Sequence, residues 1–157
     1  MMKSYYPIYL VLILMISLSF GCLTIIKQPK TQETQGIQGT IFEQKGNQMP
    51  QKGKPLSRGN GYATQLYIFE PTSIQTAIQV SGNIFKQPST PFIGTFATDS
   101  LGNFKVPLKP GRYSVFVGYQ NGYYAISFNQ LNELGIVEVL PGTFKDVQVI
   151  ISAKASY

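Results

Sequence analysis

Residues 98–117 read TDSLGNFKVPLKPGRYSVFV. Two apolar sets alternate here: Phe104, Val106 and Leu108, then Tyr113, Val115 and Val117. A period of two belongs to strands, whose successive side chains point to opposite faces. Lys105 and Pro107 fall on the other face of the first run. Ser114, Phe116 and Gly118 fall on the other face of the second. Turn residues divide the runs. Asp99 opens a turn well, because its carboxylate accepts backbone N–H bonds inside it. Gly102 supplies the positive φ of a tight hairpin, and Pro110-Gly111 makes a second turn. The stretch predicts two successive hairpins, a meander.

The same period extends outward. Residues 36–42 (GIQGTIF), 64–70 (TQLYIFE) and 92–98 read as strands, and Pro71 ends the second of these because proline cannot donate to a ladder. Residues 112–118, 123–128, 136–140 and 147–152 are the later strands, separated by Gln120-Asn121-Gly122, the loop 129–135 and Pro141-Gly142. Residues 44–61 form a long loop. Residues 73–86 (SIQTAIQVSGNIFK) fit both periods; Gly82 and Asn83 disfavour a long helix, leaving a short helix or turn followed by a strand. Strands at such spacing, with Gly, Asn and Pro between them, predict an all-β antiparallel sandwich.

Composition agrees and narrows the chemistry. The 157-residue chain has ten Tyr and ten Phe, which pack well on a pleated surface. It has no His, so the commonest general base and metal ligand is missing. A single Cys rules out an internal disulfide and a Cys-based zinc site. Net charge is +6; removing Lys3 from 13 basic residues against 7 acidic ones leaves +5. The densest basic cluster, Lys45, Lys52, Lys54 and Arg58, sits in a Gly/Pro-rich loop rather than on a concentrated basic face, so no nucleic-acid partner is expected.

The N-terminus, MMKSYYPIYLVLILMISLSFGC, reads as an exported leader. Lys3 is a short positive region, residues 8–20 are apolar, and Gly21-Cys22 stands where cleavage belongs. A cysteine after a small residue at the end of such a run resembles the bacterial lipoprotein signal. That pattern implies cleavage before Cys22 and acylation of it, and two or more acyl chains hold a protein on a membrane. Ser19 and Phe20 depart from the usual Leu and small residue. The other reading is an uncleaved anchor, since residues 8–26 are uncharged and about 19 residues span a bilayer. Both place the remainder outside the cytoplasm. The expected order is a signal peptide (1–21), a polar tether (22–34) and a β-sandwich domain (35–157). If Cys22 is acylated, the exported domain carries no thiol to oxidise.

Four motifs in order resemble the carboxypeptidase regulatory-like domain, a transthyretin-like (prealbumin-like) fold. Gly36-Ile37-Gln38-Gly39-Thr40-Ile41 stands at the opening strand. Thr98, Asp99, Gly102 and Phe104 match the turn. Leu108, Pro110, Gly111 and Tyr113 match the corner, and Pro141-Gly142 precedes the last strand. The likeness covers about residues 35–153; the loop after the first strand and the insert at 74–85 depart from it. It implies a seven-stranded antiparallel Greek-key β-sandwich and a non-catalytic role as a stabilising or protein-interaction module in the cell envelope, with no cofactor.

Candidate sites are weighed beside that expectation. Asp99 as a Ca²⁺ ligand or catalytic acid would need clustered partners, and only Ser100 and Asn103 are near, so it reads as a turn cap. Glu133 and Glu138 carry no paired-acid signature. Without His no serine triad forms. A Lys–Asn isopeptide bond lacks an Asn in residues 147–152. Tyr62, Tyr67, Tyr113, Tyr119, Tyr123 and Tyr124 could supply an aromatic face. Tyr113 is assigned to the core, and Tyr119, Tyr123 and Tyr124, beside the QNG turn, are the expected exposed binding face. The partners expected are the membrane through the lipid, and an envelope protein, with a glycan or small ligand as the alternative.

Overall fold

The structure is a computed structural model describing residues 34–50, 52–53 and 57–156. The leader, Cys22, the tether up to Glu33, and Lys54 lie outside these residues. Among the described residues no helix is long and apolar enough to cross a membrane.

The described chain is all-β. Its strands are β1 (Gly36–Asn47), β2 (Asn60–Gly61), β3 (Gln65–Phe69), β4 (Thr72–Ser73), β5 (Gln79–Ser81), β6 (Ile84–Phe85) and β7 (Phe92–Ala97). Then follow β8 (Asn103–Pro107), β9 (Gly111–Tyr119), β10 (Gly122–Ala125), β11 (Glu133–Leu134), β12 (Ile136–Val139) and β13 (Phe144–Ser156). One sheet has the order β13-β1-β2, with β8 on the first half of β1. The other has the order β5-β6-β10-β9-β3-β7, with β12 also on β9. A small ladder joins β4 to β11.

The ambiguous segment 73–86 resolves into β4, a single 3₁₀ turn at Ile74–Thr76, β5 and β6. Three expectations change. Pairing is antiparallel except between β1 and β13, which run parallel from Gly36↔Phe144 to Asn47↔Ser156. First and last strands are brought side by side by the whole intervening domain, so no hairpin dictates their direction. Second, β1 extends through Lys45 to Asn47, shortening the predicted loop.

Third, residues 98–117 do not form a meander. β7 pairs with β3, β8 with β1, and β9 with β3, β10 and β12. Both turns therefore carry the chain from one sheet to the other. The turn residues reverse the chain without choosing its partner. Gly102 shows what holds the first crossing: its φ is +81° and it is buried. A Cβ there would lie 2.4 Å from the Ile41 carbonyl oxygen and 2.8 Å from the Tyr62 nitrogen. The Gly102 carbonyl in turn accepts the Ile41 N–H at 2.9 Å. At the second crossing the Tyr113 hydroxyl donates to the Lys109 carbonyl at 2.9 Å, clamping the Pro110-Gly111 corner.

Two apolar clusters follow from the period of two. The inner one joins both sheets: Ile37, Ile41, Val106, Val149 and Ile151 from one, Leu66, Ile68, Val115 and Val117 from the other. The second holds Phe69, Phe85, Phe116, Ala125 and Leu134 on the opposite face of the larger sheet. Phe116 alternates with Val115 and Val117, yet all three are fully buried. Phe85 and Ala77 from residues 72–91, and Phe128 from the loop before β11, help to cover this face. Ser114 is buried there too, its hydroxyl accepting the Thr72 N–H at 2.8 Å.

Candidate functional site

The β9–β10 connection is a true two-residue hairpin. Gln120 and Asn121 both take positive φ (49° and 61°), the type I′ geometry that follows the strand twist. Beside it lies an open groove of about 420 Å³, lined by Tyr62, Tyr67, Tyr119 and Tyr123 with Gly118 and the turn residues.

Alternation places the rings. Tyr119 ends β9 on the inner face, where its ring meets Tyr62 edge-to-face at 5.7 Å. Tyr123, in β10, falls on the second face and meets Tyr67 of β3 at 4.8 Å. Gly118 precedes Tyr119 and lies opposite Tyr123 in the β9–β10 register. A Cβ on it would stand 3.2 Å from the Tyr67 ring, so the missing side chain leaves Tyr67 room across the strand. The Thr64 hydroxyl donates to the Gly118 carbonyl at 2.7 Å and fixes this backbone. Tyr62, Tyr67 and Tyr123 are half-buried, and the Gln120 and Asn121 side chains stand exposed at the rim.

The expected exposed trio needs correction. Tyr119 is 3% exposed and Tyr124 is 4% exposed. Both pack in the inner cluster, their rings 6.1 Å apart. Neighbours Tyr123 and Tyr124 must point to opposite faces, so they cannot share one. Of the three, half-buried Tyr123 and buried Tyr119 line the groove, and Tyr124 does not. Tyr62 and Tyr67 complete it. Tyr113 is half-buried against the inner cluster.

Behind Tyr119 lies a buried carboxylate that the sequence reading did not single out. Glu43 is 6% exposed and accepts the Tyr119 hydroxyl on Oε1 at 2.9 Å. Lys45 approaches Oε2 at 2.8 Å, and Lys154 stands 3.9 Å from Oε1 and 5.8 Å from the Tyr119 ring centroid. Both lysines are more than half exposed. Glu43 and Lys45 are two apart on β1 and share a face, and the shift in the β1–β13 register between them sets Lys154 opposite Lys45. Burial works to raise the Glu43 carboxyl. The hydrogen bonds from Lys45 and Tyr119 and the two lysine charges outweigh it, leaving the group below the ordinary carboxylate value. Burial and the Glu43 charge push the Tyr119 phenol up to about 12. Burial, then Tyr67, raises Tyr123 as well. A glutamate closing an apolar run (Thr40-Ile41-Phe42-Glu43) is the one sequence signal that could have found the cluster.

The remaining acids serve structure. Asp99 Oδ1 accepts the N–H groups of Leu101 (2.9 Å) and Asn103 (2.8 Å), and Oδ2 accepts the Asn103 amide at 2.9 Å. These bonds, the Asn103 side chain foremost, lower its pKa. Glu133 binds Asn129 and Arg112, each at 2.7 Å, and is lowered by them, Asn129 foremost. Glu138 lies opposite Arg112 in the β12–β9 register, and the two glutamates do not pair with each other. Among the described residues no three of His, Cys, Asp and Glu cluster as metal ligands. No family model, curated protein or solved structure matches the chain.

Proposed function

We propose that the chain is a non-catalytic binding module of the bacterial cell envelope, exported and held at the membrane through acylated Cys22. Its β-domain is read as a seven-stranded Greek-key sandwich of the carboxypeptidase regulatory-like kind, enlarged by the roof at residues 72–91. The observation that carries the binding role is the groove walled by Tyr62–Tyr119 and Tyr67–Tyr123. Tyrosine joins a flat apolar face to a hydrogen-bonding tip. Two such pairs beside the amides of Gln120 and Asn121 suit a sugar ring, which presents C–H bonds to one surface and hydroxyls to its edges. The concavity thus favours the glycan reading over the protein partner that the family resemblance implies.

A second reading has its own support. Leu131 (74% exposed), Ile78 (63%) and Val80 (59%) leave apolar surface open on the segments that roof the second face. Exposed apolar surface of this kind suits a protein contact. The two readings separate in one experiment on the membrane-extracted full chain. A glycan array and an envelope crosslinking pull-down are run side by side. Glycan capture without a reproducible protein partner supports the groove; a stoichiometric protein partner with a blank array reverses the order.

A further inference from the structure

Resting on the glycan reading of the groove, we infer that its preferred ligand is an acidic oligosaccharide, one whose sugar rings bear carboxylates. The charge beside the rings is the ground for this. No charged residue of either sign lines the groove itself. At its Tyr62–Tyr119 end stand two ammonium groups and one acid: Lys45, Lys154 and Glu43. One unit of positive charge is left over.

The two lysines are not equivalent. Lys45 binds Glu43 at 2.8 Å and is committed to it. Lys154 stands 3.9 Å from the same carboxylate, beyond hydrogen-bond length, with about half its side chain exposed and its ammonium toward the Tyr119 ring. Its donors remain open to an incoming anion. Glu43 offsets one of the two ammonium charges and lies closer to Lys45, so the charge left over is the one on Lys154. A sugar stacked on Tyr67 and Tyr123 and bonded by Gln120 and Asn121 would extend along the groove toward Tyr119. A carboxylate on its next ring would meet Lys154.

The test uses the membrane-extracted full chain in detergent and two matched probes, α-1,4-linked trigalacturonate and α-1,4-linked galactotriose. Trigalacturonate is expected to bind about two- to five-fold more tightly at low salt, the range one exposed charge pair supplies. That advantage disappears in Lys154→Gln and in high salt, while galactotriose binding stays unchanged in the variant. Tyr67→Ala loses both sugars. Unchanged melting temperature in Lys154→Gln shows that the variant folds. Equal affinity for the two probes, or an acidic preference that survives Lys154→Gln, overturns the charge assignment and leaves the groove standing. Binding of neither sugar overturns the glycan reading together with it. A hexaglutamate peptide that binds with the same Lys154 dependence overturns the saccharide class.

Discussion

Glu43 is the one charged residue buried among the described residues. Its carboxylate is buried, yet it remains ionised because Tyr119, Lys45 and Lys154 surround it. Removing it strands a buried phenol, so Glu43→Ala is expected to cost about 2 kcal/mol in urea unfolding, the value of a hydrogen bond to a charged group. Its lowered pKa fixes the sign of the pH response. The folded value lies below the unfolded one, so this stabilisation is present above the unfolded value and is lost as pH falls through the folded one. Melting temperature should hold from neutral pH down to the ordinary carboxylate value and drop below it, and Glu43→Gln should flatten the drop. Asp99 and Glu133 are lowered as well and leave a residual slope in that variant. Tyr119 acts at the other extreme. Its raised value, about 12, means stability falls as pH rises from 10 through 12. An absorbance titration of phenolate should show Tyr119 ionising late, with Tyr123 delayed as well, and Glu43→Gln should bring the Tyr119 step earlier.

Among the elements, the turns and the roof decide the architecture. Gly102 tolerates no side chain, because a Cβ would enter the space of the Ile41 carbonyl and its φ is +81°. Gly102→Ala is expected to cost at least about 2 kcal/mol of stability by chemical denaturation. Phe116→Ala should cost about 3–5 kcal/mol, as a core truncation does; a loss near zero would mean that the second face is open to water. The alternation of 104–108 and 112–118 was legible in the sequence, and so were the turns at Asp99 and Pro110. What they connect was not. Local residues set the reversal, whereas the partner strand is chosen by contacts distant in sequence, such as Gly102 with Ile41. The burial of Phe116 was hidden for the same reason: alternation names two faces without saying that residues 72–91 cover the second.

For the whole molecule, the all-β class was readable from the tyrosine, phenylalanine and β-branched content together with the period of two. The site was readable in part. The QNG turn led to Tyr123 and to the groove, while Tyr119 and Tyr124 turned inward because one pleat separates Tyr123 from Tyr124. Tyr62 and Tyr67 come from distant segments: Tyr67 is brought to the turn by the β3–β9 pairing, Leu66 opposite Val117 and Tyr67 opposite Phe116, and the Tyr62 N–H donates to the Ile41 carbonyl at 2.9 Å. Export, acylation at Cys22 and the envelope role are proposals carried by the leader's sequence. Mass spectrometry of the membrane-extracted chain should find residues 1–21 gone and Cys22 diacylated or triacylated; an intact Met1 with unmodified Cys22 would sink the lipid anchor. The tyrosine groove is the proposed binding site. Its most direct measurement is a glycan-array comparison of the full chain with the Tyr67→Ala/Tyr123→Ala variant, each checked for folding by thermal melt. Sugar capture is expected for the wild type, with its loss in a variant that still melts cooperatively. Capture that survives the double substitution, or no capture by the wild type at all, would contradict it.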